Sequence, residues 1–124
     1  MARQKCVAFA KRGEVYLVTF DPAVGSEIQK TRPALVLQND VGNEFSSVTI
    51  VAAITSAKSG KVYPTQVPVV PTEGGLHAPS LVLLNQIRTI DKRRLGTRLG
   101  VLEPETMRTV EAALLLSLGV VDLG

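Results

Sequence analysis

The sequence predicts a mainly β domain: a small, curled β-sheet or barrel packed on one C-terminal helix. Three observations predict it. Short segments rich in β-branched residues recur between turn signals. Helical apolar spacing is sustained only after Glu103-Pro104-Glu105. No alternation of strand and helix runs through the chain, which excludes a doubly wound sheet.

The first strand is Val15-Tyr16-Leu17-Val18-Thr19-Phe20, introduced by Lys11-Arg12-Gly13-Glu14 and closed by the turn signal Asp21-Pro22. Residues 23–31 form a long polar loop. Pro33 to Gln38 is the second strand, with Pro33 at its first position, where proline is tolerated. Asn39 to Asn43 has turn chemistry. Ser47 to Thr55 is the third strand, nearly continuous in apolar residues. Pro64 to Val70 is a fourth, proline-bounded strand expected at an edge. Pro71 to Pro79 is a Gly/Pro-rich loop carrying His77, and Ser80 to Ile90 is a fifth strand. Leu95 to Leu102 holds the last. Pro104 suits the first turn of a helix, and its acidic neighbours suit the positive end of the helix dipole. Met107, Val110, Leu114 and Leu118 fall on one helical face, and Gly119 supplies the stop. Ala112, Ala113, Leu115 and Leu116 widen the apolar surface beyond that face.

The chain has 124 residues, enough for one domain with a real core but not for two. Residues 1–10 show little pattern and read as an irregular leader; residues 11–124 form the single domain. Hydrophobic residues make up 45% and aromatics 4%, so the core is aliphatic and platforms for stacking on bases are few. Mean hydropathy is +0.21, which excludes a disordered chain. A net charge of +3 permits nucleic acid as a partner without demanding it. Cys6 and His77, one of each type, are too few for a disulfide framework or a zinc site of the usual ligands. There is no membrane-spanning apolar run and no secretory signal, so a cytoplasmic location is expected.

Signatures of several enzyme classes are missing: a phosphate-cradling glycine loop, HExxH, CxxC and a nucleophile elbow. His77, alone in a Gly/Pro loop, reads as a solvated surface residue. Asp91-Lys92-Arg93-Arg94 reads as a solvated turn, with a phosphate-contacting patch as the alternative. From placement alone, Arg32 is a surface arginine at a strand start, and Thr55 ends a strand with a hydroxyl suited to turn capping.

Five motifs in order change that assessment: Lys11-Arg12-Gly13-Glu14-Val15-Tyr16; Gly25-Ser26-Glu27 with Arg32-Pro33; Val36-Leu37-Gln38-Asn39-Asp40; Ile50-Val51-Ala52-Ala53-Ile54-Thr55; and Asn85 to Leu95. In order and spacing, from Lys11 to about Leu123, the chain resembles the MazF/PemK family of toxins from bacterial toxin–antitoxin systems. The resemblance implies an SH3-like β-barrel with a C-terminal helix, a homodimer, and a metal-independent, cofactor-free endoribonuclease. Its substrate would be single-stranded RNA, cut in mRNA at a preferred sequence. A cognate antitoxin would neutralise it by folding a C-terminal segment onto the RNA groove. The family's catalytic arginine and threonine match Arg32 and Thr55. Ser26, Glu27, Gln29, Lys30, Asn39, Gln86 and Arg88 are the expected RNA-binding residues, and His77 matches no catalytic position.

The chemistry of those side chains suits attack by the RNA's own 2′-hydroxyl. A guanidinium fork pairs with two phosphate oxygens and stabilises a phosphorane, but it stays charged and is a poor base. A threonine hydroxyl positions phosphate or passes a proton; it is no base at neutral pH. The general base is therefore unassigned. Two rivals stand: a gyrase poison of the CcdB type, which shares the fold class, and a barrel that binds RNA or protein without catalysis. The first would act through Leu118 to Gly124, which carries no aromatic anchor.

Overall fold

The computed structural model describes residues 9–22, 24–27, 30–58 and 60–122. Of the sequence-level readings, the leader up to residue 8 (with Cys6) and Gln29 lie outside those residues. Among the described residues six strands form one antiparallel sheet in the order β4-β5-β3-β2-β1-β6. They are β1 Glu14–Thr19, β2 Thr31–Val36, β3 Val48–Ser56, β4 Gln66–Val69, β5 Ser80–Asp91 and β6 Leu95–Val101. Two helices accompany them, α1 Asp40–Phe45 and α2 Pro104–Ser117.

The central strands are buried on both faces, which is why β3 reads as a nearly continuous apolar run. One core joins Val15, Leu35, Ala52, Ile54, Val82 and Leu84 to Met107, Val110 and Ala113 of α2. The other lies across the sheet and joins Val18, Phe20, Ala34, Val36, Val51, Ala53 and Ile90. The central strands feed the two cores alternately, as side chains of period two must. Odd-numbered Leu35 and Leu37 of the β2 segment face α2, and even-numbered Ala34 and Val36 face the second core.

The sheet is not a closed barrel. No pairing joins β4 to β6; the gap is bridged by the 3-10 turn Glu73–Gly75, which lies against Leu99 and Gly100 of β6. The contact is backbone on backbone. A Cβ built on Gly75 would stand 2.0 Å from the Leu99 carbonyl oxygen, and one on Gly100 would stand 2.6 Å from the Gly74 carbonyl carbon. β4 is an edge strand, as its prolines suggest, and Pro68 sits opposite Leu81.

Three local expectations need correction. The Asn39 to Asn43 stretch is not a plain turn. It starts α1, with the Asn39 Oδ1 accepting from the Gly42 N–H at 2.8 Å. Asn43, fully buried, anchors that helix: its Oδ1 accepts from the Thr49 hydroxyl at 2.7 Å and from Gln38 Nε2 at 3.1 Å. Pro33 is the third residue of β2, not the first. Leu118 is 63% exposed, and the buried face of α2 is Met107, Val110 and Ala113 with Leu114 packed beside them. The helix ends at Ser117 with Leu118 as its cap, and Gly119 (φ 75°) then turns the chain away.

The start of β1 is tied to both helices through Arg12. Its N–H donates to Asp40 Oδ1 at 2.8 Å, its Nε to the Leu37 carbonyl at 3.1 Å and its Nη2 to Glu111 Oε2 at 2.8 Å. Glu14 links β1 to β6, accepting from Arg98 Nε at 2.7 Å. Burial alone would raise the Glu14 carboxyl. The Lys11 N–H, Arg98 and the Tyr16 hydroxyl outweigh burial and hold it below its ordinary value.

Candidate functional site

β2 and β3 run together only from Ala34↔Ala53 to Val36↔Val51. Towards the N-terminus of β2, its pairing with β1 continues through Pro33↔Leu17 and Arg32↔Val18 with no partner on the β3 side. The sequence explains why this costs little. Leu37 donates its N–H to Ile50 of β3, so odd-numbered residues of this segment present their amides towards β3. Pro33 is odd and has no N–H to leave unsatisfied where β3 departs. Arg32 and Thr55 stand on the two sides of that parting. Alternation puts Arg32 on the face of Ala34 and Val36, and Thr55 on the face of Val51 and Ala53, so both belong to the face of the second core. Each is partly exposed.

A cleft of about 450 Å³ opens beside this face, lined by Phe20, Val24, Ser26, Glu27, Asn85, Gln86, Ile87 and Arg88. Its far wall is a bulge. Between the pairs Ala52↔Ile87 and Ile54↔Val82, β3 advances two residues while β5 advances five. The three surplus residues lie within Leu83–Gln86, bend β5 and push Asn85 and Gln86 out of the ladder. The near wall is the β1–β2 loop, pinned to the sheet by three side chains. Arg88 Nη1 donates to the Phe20 carbonyl at 2.7 Å, with its guanidinium 6.0 Å from the centre of the Phe20 ring. Arg94 Nη1 donates to the carbonyls of Thr19 and Asp21 at 3.0 and 2.6 Å. Gln86 Nε2 donates to the Ser26 carbonyl at 3.4 Å. The Glu27 carboxylate folds back on its own loop and accepts from the Val24 N–H at 2.8 Å.

Of the expected RNA-binding residues, Ser26, Glu27, Gln86 and Arg88 therefore meet in one cleft. Lys30 (φ 69°) closes the loop at its base, its N–H donating to Asp21 Oδ1 at 2.9 Å. Asn39 is not brought to the cleft. It caps α1, seven residues along the β2 segment from Arg32, which at about 3.3 Å per residue is on the order of 20 Å away. Sequence reasoning missed Phe20, Val24 and Asn85 as wall residues. The only available signal was the switch from Leu84 to Asn85, because a surplus of residues in a register leaves no trace in one strand's sequence.

The charge run after β5 is a capped 3-10 turn, Lys92–Arg94. Asp91 accepts from the Arg93 N–H at 2.8 Å and from its Nε at 3.0 Å, and those bonds hold the Asp91 carboxyl below its ordinary value. Arg94 is committed to the β1–β2 loop. His77 lies exposed in the loop before β5. Among the described residues no group of three or more His, Cys, Asp or Glu is placed to hold a metal ion. No helix among them is long and apolar enough to cross a membrane.

Residues 11–118 match a family model described as the PemK-like, MazF-like toxin of type II toxin–antitoxin systems. The chain is 46% identical over 112 residues to Endoribonuclease EndoA of Bacillus subtilis, covering 90% of this chain and 97% of that protein. Among solved structures it is similar to MazF from Deinococcus radiodurans, with a TM-score of 0.78 and 27% identity over 91% of this chain and 99% of that one. A mycobacterial endoribonuclease in complex with its cognate antitoxin superposes with a TM-score of 0.75 at 26% identity, over 91% of this chain and 98% of that one.

Proposed function

Because the chain belongs to the PemK-like, MazF-like toxin family of type II toxin–antitoxin systems, we propose that it is an endoribonuclease toxin that cuts single-stranded mRNA in the cytoplasm. The observation that carries this reading is the placement of Arg32 and Thr55. They share one face of the sheet where β2 and β3 part, beside the cleft that holds Gln86 and Arg88. The gyrase-poison and non-catalytic readings have no comparable support.

The 2′-oxygen of the nucleotide before the cut attacks phosphorus, the bond to the 5′-oxygen breaks, and the proton lost by the first oxygen is matched by one gained by the second. The products are a 2′,3′-cyclic phosphate and a 5′-hydroxyl. Arg32 offers two N–H groups to the equatorial oxygens as charge builds on the phosphorane. Thr55, across the parting, holds the phosphate by its hydroxyl. The cleft lets bases splay out and be read at their edges, as single strands allow.

Long RNA incubated with the protein in EDTA is expected to be cut, with 5′-hydroxyl ends that map to a short preferred sequence. An oligonucleotide carrying 2′-deoxyribose at the cut nucleotide is expected to stay intact while competing for binding. Cleavage that vanishes in EDTA and returns with magnesium would reject the mechanism, as would equal cleavage of the deoxy substrate.

The protein is further proposed to act as a homodimer and to be silenced by a cognate antitoxin. Leu115, Leu118, Val120 and Val121 at the end of α2 are 41%, 63%, 65% and 44% exposed, apolar surface that a second subunit would cover. Light scattering at micromolar concentration should give the dimer mass. The antitoxin's segment should displace uncleavable RNA from the cleft; antitoxin and RNA bound together at undiminished affinity contradict competition.

A further inference from the structure

A ribonuclease that reads unpaired bases gains by stacking them on aromatic rings, and this chain has only five: three Phe and two Tyr. Phe20 is fully buried in the second core. Tyr16 is half-buried, its hydroxyl donating to Glu14 Oε1 at 3.1 Å. Phe9 is half-buried under the Lys11 ammonium, 5.9 Å from its ring centre. Phe45 is 78% exposed but ends α1, beyond the far end of β3. From Val48 to Thr55 the strand runs about 23 Å at roughly 3.3 Å per residue. Tyr63, 57% exposed, is left; it sits just before β4, two residues ahead of Thr65, which pairs with Leu84 of β5.

Tyr63 is also held in place. Its N–H donates to Gln66 Oε1 at 3.1 Å and its carbonyl accepts from the Gln66 N–H at 2.9 Å, so Tyr63-Pro64-Thr65-Gln66 is a reciprocally bonded turn at the head of β4. That turn is fastened to β5 by the Leu84 N–H donating to the Thr65 carbonyl at 2.9 Å. Asn85 and Gln86, the cleft wall, follow directly. Lys61 lies over one face of the ring, its Nζ 5.9 Å from the centre. A rigid, exposed ring with a cation on one side is thus carried by a turn bonded to Leu84, the residue before the cleft-wall pair Asn85 and Gln86.

On the ribonuclease reading, we propose that Tyr63 is a stacking platform for one unpaired RNA base flanking the cut nucleotide. The base lies on the ring face away from Lys61, and the Lys61 ammonium meets the adjoining phosphate. Tyr63 is a specificity-determining residue in this scheme; it takes no part in bond breaking.

The test uses a short RNA containing the mapped cut site and a set of derivatives, each with one flanking nucleotide made abasic. Wild type and Tyr63→Phe are expected to lose about tenfold in kcat/KM at one abasic position. Tyr63→Ala and Tyr63→Leu are expected to be about tenfold weaker on the intact RNA, mainly through KM, and to lose nothing further at that position. Tyr63→Leu keeps apolar bulk without a π face, so it answers the question should the alanine variant fold poorly. If wild type cuts the RNA and both variants show its full abasic profile, the platform is overturned and the ribonuclease stands. If wild type cuts no RNA, the ribonuclease reading fails and takes the platform with it.

Discussion

Arg32→Ala is expected to lower kcat/KM for RNA by about a thousandfold or more while the circular dichroism spectrum and the mass in solution stay those of the wild type. The size follows from what the guanidinium does. Charge accumulates on the phosphorane oxygens, and a single arginine aimed at a transferring phosphoryl group is worth roughly 10³ to 10⁵ in rate. Arg32→Lys should restore little, because an ammonium is a point charge and cannot present two parallel N–H groups to two oxygens. The fold should survive because Arg32 is partly exposed and the adjoining Pro33, Ala34 and Leu35 carry the packing. His77→Ala, on the exposed loop, should be nearly silent. A dead His77→Ala beside an active Arg32→Ala would show that the site has been misassigned.

The largest expected effect on stability comes from Gly75→Ala. A Cβ there would overlap the Leu99 carbonyl oxygen at 2.0 Å, and the residue has φ 75°, where side chains are strained. Gly119 has the same φ of 75° with nothing within 4 Å of its would-be Cβ. Gly119→Ala therefore isolates the conformational strain, about 1–2 kcal/mol. Gly75→Ala adds the displacement of β6 from the turn that bridges the open side of the sheet. Its total should reach about 3–5 kcal/mol, in the range of severe overpacking. Melting temperatures measured side by side decide the matter. Gly75→Ala should fall well below Gly119→Ala, and equal losses would mean the bridge yields freely.

The fold class was legible because strands and the final helix differ in period, and periodicity survives in one sequence. Features that depend on two strands at once were not legible. Pro33 looked like a strand opener because proline disfavours central strands; it tolerates an interior position because β3 has already left its side. The extra residues in β5 that set Asn85 and Gln86 in the cleft wall exist only relative to β3. Asn39 was read with the RNA-binding set because it lies in a family motif; its side chain is committed to capping α1. Arg32 and Thr55 illustrate the converse. Neither stands out by residue type, and resemblance picked them; the register then put them on one face.

An open sheet leaves edges, and exposed edges invite other chains to add a strand. β4 meets that hazard with its amides. The Thr65 carbonyl faces β5, so in this strand Val67 and Val69 pair inward, and Gln66 and Pro68 present their backbone outward. The Gln66 N–H is already given to the Tyr63 carbonyl, and Pro68 has none. The outer edge of β4 thus offers an incoming strand acceptors without donors. That edge is protected from templated aggregation by one proline and one turn.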